Sequence, residues 1–223
     1  MEIKYSKRKQ ELRSDPVMEG IVNARDFVRE NSNTLLSVVI VALLVVGGFA
    51  AYTHVKRSSQ ERAADAFGKA ITAYAAGNNA RAVEAFSLVA DKYRSAPQAA
   101  YAAYILGHLY LGQGNFDEAA TWFEVAVNHK NGGFVSGEAL ESLALCYEAK
   151  NDLARAFEYL QKALAEKSVK YRHPAIRWKL ALLSRKMGRH EQMRQYCQAI
   201  LSDTLASQYR QKAENLLAEL KVL

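Results

Sequence analysis

Residues 106–126 read LGHLYLGQGNFDEAATWFEVA, and the fold follows from the way this stretch recurs. Leu106, Leu109 and Tyr110 sit at helical spacing before the chain meets Gly112-Gln113-Gly114; from Phe116 the spacing resumes through Ala119, Phe123 and Ala126. Two short helices joined by a glycine turn are predicted. The pattern returns at a fixed interval: Ala82, Ala119, Ala156 and Met193 stand 37 residues apart, as do Gly77, Gly114, Asn151 and Gly188. The same register aligns Ala70, Gly107, Ala144 and Ala181, then Phe86, Phe123, Leu160 and Cys197, then Val89, Ala126, Ala163 and Ile200. Small residues let antiparallel helices approach, Gly or Asn takes the left-handed conformation that ends the first helix, and the large residue packs between neighbours. Four copies of one helical hairpin are predicted.

These residues resemble a tetratricopeptide repeat. The likeness rests on Leu106-Gly107, Tyr110, Gly114, Phe116, Ala119, Phe123 and Ala126, and on a second set, Leu143-Ala144, Tyr147, Leu153, Ala156 and Ala163. The copies near 63–96 and 174–207 depart from it, with Ala73 and Ser184 in place of Tyr and Met193 in place of the central Ala. Terminal repeats are often atypical, and a period three residues above the usual one implies longer connections between repeats. Ser207 to Leu220 is expected to form a closing helix. The predicted fold class is therefore all-α, an α-solenoid of about four repeats over residues 61–223. The three prolines, Pro16, Pro97 and Pro174, all sit where an element can begin.

Upstream of the repeats, Asn31 to Val55 carries no residue charged at neutral pH. Within it, Leu35 to Val55, LLSVVIVALLVVGGFAAYTHV, lacks proline and lacks a polar face between Val38 and Ala51. As a helix it is about 30 Å long, the thickness of a bilayer's hydrocarbon core. Residues 35–55 are read as a transmembrane helix. A cleaved signal peptide is the nearest rival, but its charged leader would be over thirty residues long and Gly48-Phe49-Ala50 makes a poor cleavage site. Lys56 to Gln60 is all that joins the span to the first repeat helix near Glu61.

Residues 1–34 form a short tail: alternating charges over 2–13, read as a disordered lead-in, then Asp15-Pro16 and an amphipathic helix through Val17, Ile21, Ala24 and Val28. That helix suits lipid headgroups or another membrane protein. The net charge of +7 divides as seven basic and six acidic residues in 1–30 against 23 and 17 in 56–223. Charge near the span leaves the orientation open, because Arg25 and Arg29 face Lys56, Arg57, Arg62 and Lys69 across it and long domains translocate regardless. The layout of tail, span and repeats, with Phe27-Val28-Arg29-Glu30-Asn31 before the span, also resembles the YfgM-type ancillary subunits of the bacterial Sec translocon. That resemblance implies the bacterial inner membrane, a cytoplasmic tail, periplasmic repeats, and work beside the translocon with chaperones of emerging chains.

Catalytic chemistry finds no support. The five histidines form no close ligand pair and neither Cys146 nor Cys197 has a CxxC partner, so no metal or other cofactor is expected, and the chain does not read as an enzyme. Both cysteines are read as core thiols. By register, the inner wall of the solenoid carries Ala64, Phe67, Ile71 and Tyr74, then Tyr101, Tyr104, His108 and Leu111, then Glu138, Glu141, Leu145 and Glu148, then Ala175, Trp178, Leu182 and Arg185, so it is aromatic early and acidic later. Aromatics on a rigid wall suit extended apolar segments, and Phe67, Ile71, Tyr74, Tyr101, Tyr104, His108, Trp178 and Leu182 are the expected peptide-binding residues. Packing on the closing helix or homodimerisation is the rival use of that wall. Residues 166–212 carry eleven basic and three acidic residues, a solvated face or one that attracts anionic lipid or an acidic partner, with nucleic acid not expected. The expected partners are thus a translocon-like membrane complex, extended or unfolded polypeptide, and membrane lipid. A scaffold that orders an envelope assembly without handling unfolded chains is the alternative.

Overall fold

The computed structural model describes residues 16–219; the expected lead-in over 2–13, the Asp15 cap and Leu220 lie outside the described residues. Those described form helices joined by short turns, without strands, and fall into two compact units that divide between Arg57 and Ser58. The helices are α1 (Pro16–Glu30), α2 (Ser32–Ala75), α3 (Asn79–Lys92), α4 (Pro97–Gly112), α5 (Phe116–Val127), α6 (Phe134–Ala149), α7 (Leu153–Ala165), α8 (His173–Lys186), α9 (His190–Ser202) and α10 (Ser207–Glu219). Two short 3₁₀ turns, Lys167–Arg172 and Thr204–Ala206, precede α8 and α10.

In the first unit, α1 shows Val17, Met18, Ile21, Val22, Phe27 and Val28 to solvent, and no residue from Val17 to Arg57 is buried. Asn31 ends α1, its side-chain amide donating to the Phe27 carbonyl at 2.9 Å. By length and composition, α2 is a helix able to cross a membrane. Lys56 to Gln60, expected as a short join, are helical within α2.

The second unit is the solenoid. Its first helices are α2 from Ser58, α4, α6 and α8; its second helices are α3, α5, α7 and α9; α10 closes it. Each hairpin turns at one left-handed residue, Gly77, Gly114, Asn151 or Gly188, with φ of 74°, 79°, 60° and 69°. The following N–H then reaches back five residues: Asn78 to Ala73, Asn115 to Tyr110, Asp152 to Tyr147 and Arg189 to Ser184. Asn78 and Asp152 also accept from the backbone N–H groups of Arg81 and Arg155, capping α3 and α7.

The large-residue column is the centre of the core. Phe86, Phe123 and Cys197 are fully buried and Leu160 nearly so, and the small residues Ala82, Ala119 and Ala156, one turn earlier on the same helices, are fully buried too. Gly107 stands where the other repeats carry Ala, because a Cβ there would lie 2.5 Å from the Phe123 ring. The face of each first helix that meets the preceding hairpin is apolar and buried in the inner repeats, at Ala102, Leu106 and Leu109, then Ala139, Leu143 and Cys146. In the first repeat the same register holds Asp65, Lys69 and Thr72, and Asp65 pairs with Lys69 at 2.7 Å on the exposed surface.

Candidate protein-binding surface

Part of the inner wall in the first two repeats stands free. Ile71, Tyr74 and Tyr101 are 38%, 47% and 44% exposed, and half-buried Phe67 lies beneath them. The Phe67 ring is 5.7 Å from Phe86 and 6.5 Å from Tyr101, both edge to face, and Tyr74 sits 6.4 Å from Phe86. The core ring of Phe86 thus seats a small aromatic platform whose outer faces meet solvent.

One turn further along α4 the wall is engaged with its neighbour. Tyr104 donates to Glu138 at 3.1 Å and packs 4.6 Å from the His108 ring, which in turn lies 5.0 Å from Phe123. Burial, with Glu138 beside it, pushes the Tyr104 hydroxyl up to about 12, and burial holds the His108 imidazole below its usual value. Neither residue brings charge to the wall at neutral pH.

The carboxylates of α6, placed on the wall by register, are closed by cations and hydroxyls of the next repeat. Glu138 accepts from the Tyr171 hydroxyl at 2.6 Å in addition to Tyr104. Glu141 is buried and accepts from Arg172 Nε at 2.5 Å and Lys179 Nζ at 2.8 Å. Burial raises the Glu141 pKa, but these hydrogen bonds and charges outweigh it and leave the group below the usual carboxylate range. Lys186 pairs with Glu148, and Arg185 reaches both oxygens of Glu219 on α10. A ladder of ion pairs runs along this half of the wall; of its cations the register places Arg185 there, but not Arg172, Lys179 or Lys186. Their separation from the carboxylates, 31 to 38 residues or close to one repeat, is the signal that finds them.

Trp178 and Leu182, also assigned to the wall by register, are half-buried and pack on the cluster that includes Ala213 and Leu216 of α10. The Trp178 and Tyr209 rings are 6.4 Å apart. Of the eight expected residues, the structure therefore gathers Phe67, Ile71, Tyr74 and Tyr101 at one platform, ties Tyr104 and His108 to α6, and places Trp178 and Leu182 against the closing helix.

Two other features bear on chemistry. Cys146 and Cys197 are free and buried, and burial pushes both thiols up to about 11. Among the described residues there is no group of His, Cys, Asp and Glu that could hold a metal ion. A cleft of about 1000 Å³ lies away from the platform, between α2 and α3, lined by Asp65, Lys69, Ala73, Glu84, Leu88 and Asp91 among others. It is the face the first repeat would turn to a preceding hairpin.

A family model described as a tetratricopeptide repeat-like domain matches residues 25–145, and a domain of unknown function, DUF6340, matches residues 105–202. No curated protein matches the sequence. Among solved structures, kinesin light chain repeats from Podosopora anserina, described as nearly identical and TPR-like, are 19% identical, covering 73% of this chain and 94% of theirs with a TM-score of 0.51. MamA is likewise 19% identical, covering 72% of this chain and 85% of its own with a TM-score of 0.50. At such identity the likeness is one of fold.

Proposed function

Because the chain belongs to the tetratricopeptide repeat-like domain family, we propose that it is a membrane-anchored protein-binding module that captures extended polypeptide on the platform of its first two repeats. The observation that carries this is the free apolar surface of Ile71, Tyr74 and Tyr101, seated on Phe67 and Phe86 in a rigid hairpin stack. The family match begins at residue 25, so it takes in the apolar segment together with the first repeats, which supports reading anchor and module as one inherited unit. The work proposed for it is assistance to protein translocation or to envelope chaperones beside a translocon-like complex of the bacterial inner membrane, with the tail in the cytoplasm and the repeats in the periplasm. A reporter active only outside the cytoplasm, fused after Leu223, is expected to be active; activity of a cytoplasmic reporter there instead would refute that topology.

Photocrosslinking from Tyr74 and Tyr101 in intact cells tests the capture itself, with extended segments of secreted chains expected as the captured species. Tyr101→Ala should leave helix content and melting nearly unchanged while weakening peptide capture by about 1 to 2 kcal/mol. Unfolding of the domain by that change would mean that Tyr101 belongs to the core. Crosslinks solely between copies of the chain, lost in Tyr101→Ala, would make the platform a dimer interface and the protein a scaffold.

A further inference from the structure

The four connectors that lead from one repeat to the next, 93–96, 128–133, 166–172 and 203–206, gather at one edge of the solenoid. Contacts tie the first three together: His129 Nε2 lies 2.7 Å from the Arg94 carbonyl, Asn131 donates to the Ser95 carbonyl at 3.1 Å, and Tyr171 stacks at 5.9 Å on Phe134, the residue that follows the second connector and begins α6. Three lysines in these connectors outnumber the one exposed carboxylate, Glu166, that stands in no ion pair there. Lys130, Lys167 and Lys170 are exposed and stand in no ion pair among the described residues. In or next to the connectors, Phe134, Tyr171 and Leu205 are 46%, 59% and 77% exposed, the last being the most exposed large apolar side chain described.

The opposite edge, made of the turns 76–78, 113–115, 150–152 and 187–189, has neither feature. Its charges are engaged, Lys150 with Asp117, Asp152 with Arg155 and Arg189 over the Phe157 ring, and no large apolar side chain is exposed in those turns. The asymmetry has a direction along the chain. In the 37-residue register Gln60 falls in the column of Pro97, Phe134 and Tyr171, so the chain enters the first repeat at the connector edge, five residues after Val55 ends the apolar stretch.

We propose that the connector edge is a docking surface for an anionic lipid bilayer, its lysines drawn to the headgroups and Leu205, Tyr171 and Phe134 seated among them. Unpaired lysines with exposed aromatic and aliphatic side chains are the combination that holds a protein at a membrane interface. The proposal rests on the membrane anchoring argued above and assigns a second, peripheral contact to the repeats themselves.

The test uses the full chain reconstituted in phosphatidylcholine vesicles with and without phosphatidylglycerol. A fluorophore is placed at Leu205→Cys, or at Gln113→Cys on the opposite edge, and quenching by nitroxide-bearing lipid is measured; the buried native thiols stay unlabelled. Quenching at position 205 should exceed that at 113 severalfold, rise with phosphatidylglycerol, and fall when Lys130→Glu, Lys167→Glu and Lys170→Glu are combined. Equal quenching at the two positions, or indifference to both lipid charge and the triple variant, would overturn the proposal while leaving the anchor intact. Extraction of the unlabelled chain from vesicles by alkaline carbonate would instead remove the anchor, and this proposal with it.

Discussion

Replacing Phe123 with Ala is expected to lower the stability of the repeat domain by about 3 to 5 kcal/mol, the largest effect of any single truncation considered for this chain. The ring is fully buried, against the backbone of Gly107 and 5.0 and 5.9 Å from the rings of His108 and Tyr104. Emptying that volume leaves a cavity bounded by α4, α5 and α6, which are held apart by their other contacts and close it only in part. Equilibrium urea unfolding of the two proteins provides the measurement. Gly107→Ala approaches the same contact from the other side, since its methyl group would need the Phe123 ring to move; it should cost about 1 to 3 kcal/mol. The pair should not be additive: in Phe123→Ala the added methyl meets empty space, and the Gly107→Ala penalty should largely vanish. Full additivity would show that the close approach does not govern the site.

Neutralising Glu141 should produce the second large loss. Its carboxylate is buried while its partners Arg172 and Lys179 are about a third to a half exposed, so Glu141→Gln removes the one anion that two cations share but leaves them a route to water. Breaking a fully buried pair costs about 3 to 5 kcal/mol; with that partial solvation the expected loss is about 2 to 3 kcal/mol. The dependence on pH follows from the direction of the shift. The folded-state pKa lies below the unfolded value of about 4.3, so this stabilisation is complete above that value and disappears as pH falls through the folded pKa. The gap in stability between the original protein and Glu141→Gln should therefore be constant near neutrality and shrink as the medium becomes more acid than about pH 4. A gap that stays the same down to the lowest pH at which both fold would exclude the ion pair as its source.

Much of this architecture is legible in the sequence because a solenoid writes its rules once per repeat. The turn column Gly77, Gly114, Asn151 and Gly188 is left-handed at each copy, and the core column from Phe86 to Cys197 is buried at each copy, since both are set by contacts within a hairpin or between adjacent ones. The inner wall is harder to read, because what a wall residue does depends on which side chain the next repeat sends toward it. Glu141 looks like a free acid until Arg172 and Lys179 are brought to it, and Trp178 looks like a binding aromatic until α10 lies beside it. The continuity of α2 through Lys56 to Gln60 was hidden for another reason: a change from apolar to charged composition marks a change of environment, and a helix can pass through such a change without ending.

The polar outer face of the first repeat carries a consequence for how copies of this protein can meet. Stacked hairpins present related surfaces at their two ends, and a head-to-tail contact between such ends, repeated without closure, grows into a fibre. Growth of that kind would have to bury Asp65 and Lys69 in the register where the inner repeats place Ala and Leu, forcing a charged pair out of water against the already polar surface of α10, where Lys212, Glu214 and Asn215 are exposed. The alanines that floor the cleft between α2 and α3 leave room for such an approach, but the charges along its rim make it costly. Crowded at high local concentration, these molecules can share a protein partner without polymerising through the ends of their repeats.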